Sequence, residues 1–227
     1  MSARAAEGMP SMRAEPVFGL LLAGGQSRRM GGGDKCLLEF AGRTLLAHAI
    51  DRLAPQVDGL MLNANGDSAR FADYGLPVVA DVVPGFAGPL AGVLTGMAFM
   101  RQNDADAGWL VTAATDTPFF PGDLVARLLA GALAAKAEVA FARSVGRTHP
   151  VFGLWRVALH DALARALTVE DERKIDRFAA RHRVVEVDFP ALPYDPFFNI
   201  NRPEDLAEAE NLSNLVEEPA QPLERDP

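Results

Sequence analysis

Leu22-Ala23-Gly24-Gly25-Gln26-Ser27-Arg28-Arg29-Met30-Gly31-Gly32-Gly33-Asp34-Lys35 follows directly on an apolar run, Val17 to Leu22, and this junction decides the fold. The run is short, continuous and apolar, the pattern of a buried β-strand. The strand stops in a loop with five glycines, two arginines and a lysine. Glycines let the backbone come close to a ligand and turn its N–H groups toward a phosphate. Arg28, Arg29 and Lys35 add mobile positive charge in the same place, and an arginine takes a phosphate with a two-pronged fork. A flexible, solvated surface loop would account for the glycines. It would not account for cations placed among them directly after a buried strand. The stretch reads as a polyphosphate cradle.

Spacing excludes two familiar cradles. The nucleotide P-loop ends in Gly-Lys-Ser/Thr, whereas Lys35 follows Asp34 and precedes Cys36. The dinucleotide fingerprint G-x-G-x-x-G opens straight into a helix, and Gly24-Gly25-Gln26 does not fit it. The pattern L-A-G-G-x-x-x-R-M-G-G-x-D-K instead resembles the signature of the molybdenum cofactor guanylyltransferases, nucleotidyltransferases with a glycosyltransferase-A-like fold. The resemblance implies transfer of GMP from GTP to the phosphate of molybdopterin, with release of pyrophosphate. It extends over roughly Val17 to Leu212 and is most specific over the cradle.

Composition is consistent with a nucleotide enzyme and excludes other classes. At 227 residues the chain reads as one domain, and 49% apolar residues supply a large core. The expected organisation is a disordered leader over residues 1–15, a single nucleotidyltransferase domain over 16–212, and a disordered acidic tail over 213–227. Within the domain, a nucleotide half spans about 16–120 and an acceptor half about 121–212. The leader has no apolar core of a secretory signal, and Met9 or Met12 is an alternative start. No apolar run is long enough to span a bilayer. A net charge of −8 argues against a nucleic-acid binder. The single cysteine, Cys36, rules out an intrachain disulfide and a cysteine-cluster metal site. Its expected role is that of a small buried apolar residue, and a reducing cytoplasm is the simplest home.

In chain order, Leu37 to Phe40 and Ala41 to Arg43 read as a short extended segment and a turn. Thr44 caps a helix with apolar positions Leu45, Leu46, Ala49, Ile50 and Leu53, ended by Pro55. Val57 to Leu62, Pro77 to Ala80 and Trp109 to Ala114 read as strands. Helices are expected from Phe86-Ala87-Gly88-Pro89 to about Arg101, and from Pro121 and Asp123 through Ala135. Four strands alternating with helices predict an α/β fold, a three-layer, doubly wound, mostly parallel sheet. Strands at Glu138 to Ala142, Pro150 to Trp155 and Val184 to Phe189 follow. Helices at Val157 to Leu167, Ile175 to Arg181 and Pro203 to Leu212 complete the smaller acceptor half.

Ligands of such sheets bind beyond the carboxyl ends of the strands, where the cradle, Asn63, Asp81 and Asp116 all fall. A carboxylate at the end of a strand beside a polyphosphate is where Mg²⁺ is expected, so Asp116 is the candidate metal ligand; capping of the next helix is the simpler alternative. The resemblance implies that Leu22, Ala23, Gly24 and Gly25 bind the base through their backbone, and that Asn63 and Asp81 contact the nucleotide. In that family pattern Gly24-Gly25 favours a purine. Lys35 and Arg29 are expected to hold the β- and γ-phosphates. His149, Asn199 and Asn201 match acceptor-side elements of the family, and the charged pair Arg173 and Lys174 is the candidate for meeting the acceptor's phosphate. Structural alternatives stand beside each: a turn histidine, a solvated charged face for Arg173 and Lys174, and helix capping for Asn201. The expected partners are GTP and molybdopterin, together with a molybdenum insertion protein and molybdoenzyme chaperones, for a monomer. The alternatives are a CTP-using or sugar-phosphate nucleotidyltransferase and a non-catalytic cofactor carrier.

Overall fold

The computed structural model describes residues 15–23, 34–85, 88–103 and 108–217. Gly24, Gly25, Arg28 and Arg29 therefore lie outside the described residues, as do the ends of the chain.

Strand β1 (Val17–Leu22) is an interior strand, third in order, of a seven-stranded sheet. It pairs in parallel with β4 (Gly59–Asn63) on one side and β6 (Trp109–Ala114) on the other. Beyond β4 lies β5 (Val78–Val79), also parallel. Beyond β6 the order continues through β8 (Arg147–Arg156), β7 (Val139–Ser144) and β9 (Val184–Asp188). Only β8 runs against its neighbours. The mostly parallel α/β sheet is as expected from the alternation of strands and helices. A small antiparallel pair, β2 (Glu39–Phe40) and β3 (Arg43–Thr44), stands apart.

The period of two along the strands sorts side chains to two faces. Leu21, Leu62 and Val111 point into a core with Leu46, Leu53 and Leu128, contributed by α1 (Leu45–Leu53) and α3 (Leu124–Ala135). Leu20, Met61 and Leu110 point the other way. There they meet Val93, Met97, Leu163 and Phe178 from α2 (Pro89–Gln102), α4 (His160–Thr168) and α5 (Ile175–Ala179). Burial on both faces explains why these strands read as unbroken apolar runs. A third cluster, Phe40, Leu45, Phe119, Ile200 and Ala209, seats α6 (Pro203–Glu217) beside the carboxyl edge.

Several boundaries differ from the sequence reading. A 3₁₀ turn, Ala54–Gln56, prolongs α1 and delays β4 to Gly59. The β7–β8 turn is only Val145-Gly146, both with positive φ (48° and 72°). Such two-residue turns match the twist of a hairpin, so β8 begins at Arg147 rather than Pro150. A 3₁₀ segment, Ser68–Tyr74, has no counterpart in the expected elements. Helix α6 continues to Glu217, past the expected start of the tail at Ser213. Polar residues do not end a helix by themselves, and the first proline after Pro203 is Pro219. Glu15, assigned to the leader, is held by Trp109 Nε1 (3.1 Å) and Arg156 Nη1 (2.5 Å).

Candidate active site

The register of the sheet brings the predicted groups to one edge. Leu22, the last residue of β1, pairs with Asn63 of β4 and Ala114 of β6. Ala23 N donates to Asn63 O (3.0 Å), and Thr115 Oγ1 donates to Leu22 O (3.3 Å). The chain thus leaves β1 toward the glycine-rich stretch between Asn63 and Thr115, and Lys35 returns at its far end.

Lys35 Nζ is the focus of this edge. It donates to Asp116 Oδ2 at 2.6 Å, to Asn201 Oδ1 at 2.6 Å and approaches Asn199 Oδ1 at 3.4 Å. Ammonium and carboxylate are largely shielded, with 13% and 20% of their side chains exposed. The alternative readings of Asp116 and Asn201 as helix caps are not what the structure shows. Asp116 carries Lys35, and α3 starts only at Leu124. The start of α6 is capped by Asp205, whose Oδ2 accepts from Asn201 N (2.6 Å) and Arg202 N (2.8 Å), which leaves the Asn201 amide for Lys35.

A second cluster lies at the ends of β4 and β5. Asn63 Nδ2 donates to Asp81 Oδ1 (3.0 Å) and Val79 O (3.1 Å), and Asn65 Nδ2 donates to Asp81 Oδ2 (2.8 Å). Asp81 N donates back to Asn65 Oδ1 (2.9 Å). The Asp81 carboxylate is fixed in orientation by two amides and keeps lone pairs for a ligand donor. Helix α2 crosses close to this point because Gly92 has no side chain. A Cβ there would sit 2.5 Å from Leu22 Cδ2 and 2.6 Å from Asn63 Oδ1.

Arg70 joins the two clusters, and nothing in its sequence spacing pointed to it. Its guanidinium pairs with Asp34, the residue before Lys35, and donates to Asn65 O (2.6 Å) and Asp67 O. The acceptor-side candidates divide. Asn199 and Asn201 reach Lys35, as above. His149 does not; its Nε2 bonds Ser144 Oγ (2.8 Å), and its ring stacks on Phe197 (4.6 Å between centroids). Burial lowers its pKa below the ordinary histidine value. Arg173 and Lys174 lie in the connection between α4 and α5, where Arg173 pairs with Asp171 (2.9 Å).

Residues 19–186 match the family model of the MobA-like NTP transferase domain. A molybdenum cofactor guanylyltransferase of Bradyrhizobium sp. (strain ORS 278) is 56% identical over 212 residues, 93% of this chain and 100% of that one. A second, from Rhodopseudomonas palustris (strain BisB5), is 56% identical over 205 residues, 90% and 98% of the two chains. The chain belongs to the molybdenum cofactor guanylyltransferase family. Membership makes it a nucleotidyltransferase and agrees with the cradle signature. Among solved structures, the Archaeoglobus fulgidus molybdopterin-guanine dinucleotide biosynthesis protein A superposes with a TM-score of 0.69 at 23% identity, covering 87% of this chain and 99% of its own. A 4-diphosphocytidyl-2C-methyl-D-erythritol synthase gives 0.64 at 16% identity, covering 88% and 99%. At those identities the superpositions speak to the fold.

Within this guanylyltransferase-family site, Cys36 is a packing residue. It is 2% exposed, and burial, with the charge of Asp34, pushes its thiol up to about 12. Among the described residues no helix is long and apolar enough to cross a membrane.

Proposed function

We propose that this chain transfers GMP from GTP to the phosphate of molybdopterin, forming the guanine dinucleotide form of the molybdenum cofactor and pyrophosphate. The observation that carries the reading is the meeting of Lys35 and Asp116 beside the cradle, in a chain 56% identical to named guanylyltransferases. Leu22 and Ala23 with Gly24 and Gly25 present the base-binding backbone, and Asn63 and Asp81 contact base or ribose. Lys35 and Arg29 hold the β- and γ-phosphates and the departing pyrophosphate. The acceptor phosphate is already ionised at neutral pH, so no general base is needed. Positioning and charge neutralisation supply the rate. Arg173 and Lys174 are assigned to the acceptor phosphate by their positive charge, and His149 to the acceptor side by the resemblance.

The donor set fits Mg²⁺. Asp116 Oδ2, Asn201 Oδ1 and Asn199 Oδ1 converge on one point, which the Lys35 ammonium fills. Hard oxygen ligands with a single carboxylate suit an ion that completes its shell with phosphate oxygens and water. Asp116 would hold the ion, with Asn199 and Asn201 beside it. When bound, Mg²⁺ neutralises charge on the phosphates as the α-phosphate is attacked.

The presence of both Lys35 and Asp116, in contact, favours an enzyme over a carrier. Gly24-Gly25 favours GTP over CTP. A single cysteine, buried and unpaired, suits a reducing cytoplasm. The reading is completed by a monomer that takes its acceptor from a molybdenum insertion protein and serves molybdoenzyme chaperones. Pyrophosphate release with each of four nucleoside triphosphates, with and without molybdopterin, tests it. Acceptor-dependent release with GTP is expected. Release with CTP would move the chain to the cytidylyl reaction, and release with none would favour the carrier.

A further inference from the structure

Asn199 and Asn201 belong to an irregular strap, residues 189–202, between β9 and α6. A loop gives such side chains no fixed place unless something outside it holds the backbone. Two anchors do so. At one end, Ile200 is fully buried and its N–H donates to Asp116 O (2.9 Å). At the other, Asp195 Oδ1 accepts from Ser144 Oγ (2.7 Å) and from Phe197 N (3.0 Å). Ser144 is 1% exposed and has one hydroxyl proton. That proton goes to Asp195, so His149 Nε2 must be the donor in its bond to Ser144 Oγ. The result is a one-way chain, His149 Nε2–H to Ser144 Oγ–H to Asp195. The Phe197 ring, two residues before Asn199, lies against His149, Phe152 and Phe189.

We infer that His149, Ser144 and Asp195 form a clip through which the β7–β8 hairpin positions Asn199 and Asn201 at the Lys35–Asp116 site. This rests on the proposed reading of that site as a place for a divalent cation. None of the three touches Lys35 or Asp116; they are positioning residues. Removing the Asp195 carboxylate leaves a buried hydroxyl and a backbone N–H without an acceptor, while asparagine at 195 keeps the acceptor oxygen. Ser144→Ala breaks the same chain with the loss of one atom.

The test compares the full chain with Asp195→Ala, Asp195→Asn and Ser144→Ala. Two readouts are used: hydrogen exchange of the 197–201 amides, and Mn²⁺ binding followed by electron paramagnetic resonance. Asp195→Ala and Ser144→Ala are expected to speed exchange at Phe197 and Ile200 and to weaken Mn²⁺ binding by about tenfold or more, the scale of a lost buried hydrogen bond. Asp195→Asn is expected to restore both. Unchanged Mn²⁺ binding in Asp195→Ala and Ser144→Ala overturns the inference, whatever their exchange rates. So does Asp195→Asn behaving like Asp195→Ala. Ser144→Ala decides the point if Asp195→Ala does not fold. Guanylyl transfer by the wild-type protein is scored separately: normal Mn²⁺ binding without transfer would remove the proposed reaction and leave the clip.

Discussion

Lys35 Nζ lies 2.6 Å from Asp116 Oδ2, although 81 positions separate the two residues in the chain. A parallel sheet makes this contact, because β1 and β6 are neighbours and end at the same edge. Lys35→Ala and Asp116→Asn are each expected to lower kcat/KM for guanylyl transfer about 10²–10³-fold, the scale of one preorganised electrostatic group. Because the side chains touch, the double variant is expected to lose less than the product of the two. Steady-state kinetics of the three proteins check this; near-normal turnover in Lys35→Ala would remove it from the chemistry.

Gly92→Ala tests the nucleotide end of the site without changing a polar group. Its methyl would press on Leu22 and on an Asn63 amide already tied to Asp81 and Val79. Overpacking of this kind costs about 1–3 kcal/mol, which corresponds to a rise of about tenfold in KM for GTP if it falls on binding. The expected signature is a raised KM with kcat little changed. An unaltered KM would show that Asn63 is not held in place by α2.

Arg70→Ala should also act on the triphosphate, through Asp34. The guanidinium spans Asp34 and the Asn65 carbonyl, a geometry that lysine cannot copy. KM for GTP is expected to rise in both Arg70→Ala and Arg70→Lys, and added guanidinium to restore part of it only in Arg70→Ala. Titration calorimetry with GTP reads the same effect as affinity.

What the sequence made legible, and what it hid, follows from the distance over which each feature is determined. Leu20, Leu21, Leu110 and Val111 announce buried strands because local alternation is lost only when both faces are covered. Asn63, Asp81 and Asp116 were legible because strand ends are local and a parallel sheet gathers them. Arg70 was not: it lies in a 3₁₀ segment without periodicity, and its partner Asp34 is 36 positions away. Ser144 and Asp195 were hidden for the same reason, at a separation of 51. Asn201 carried a cap signature, and only the position of Asp205 frees its amide for Lys35. Helix α6 runs on to Glu217 because polarity by itself does not end a helix.

His149 gives a pH dependence with a definite sign. Burial, which outweighs the nearby Asp195, places its folded pKa below the unfolded value of about 6.5. Between those two values the unfolded chain binds more protons, so stability falls as pH drops through that window and is unaffected above it. Thermal melting at pH 5 and pH 7.5 is expected to show a larger loss for the wild type than for His149→Gln. An equal loss would assign the acid sensitivity to other groups.

Thr112 offers a stability test away from the site. It is fully buried, and its Oγ1 donates to Val151 O (2.7 Å) while Trp155 Nε1 approaches at 3.4 Å. Thr112→Val keeps the shape and strands those groups, at a cost of about 1–3 kcal/mol in chemical denaturation. Guanylyl transfer in the folded fraction should be unchanged.

The most direct measurement of the central claim follows the α-phosphorus of GTP. Wild-type protein, molybdopterin, Mg²⁺ and α-labelled GTP are mixed, and label is tracked beside pyrophosphate. Label is expected in a molybdopterin guanine dinucleotide, one per pyrophosphate released, with no release when molybdopterin is omitted. Label that stays in GTP, or appears as free GMP whether or not the acceptor is present, would contradict it.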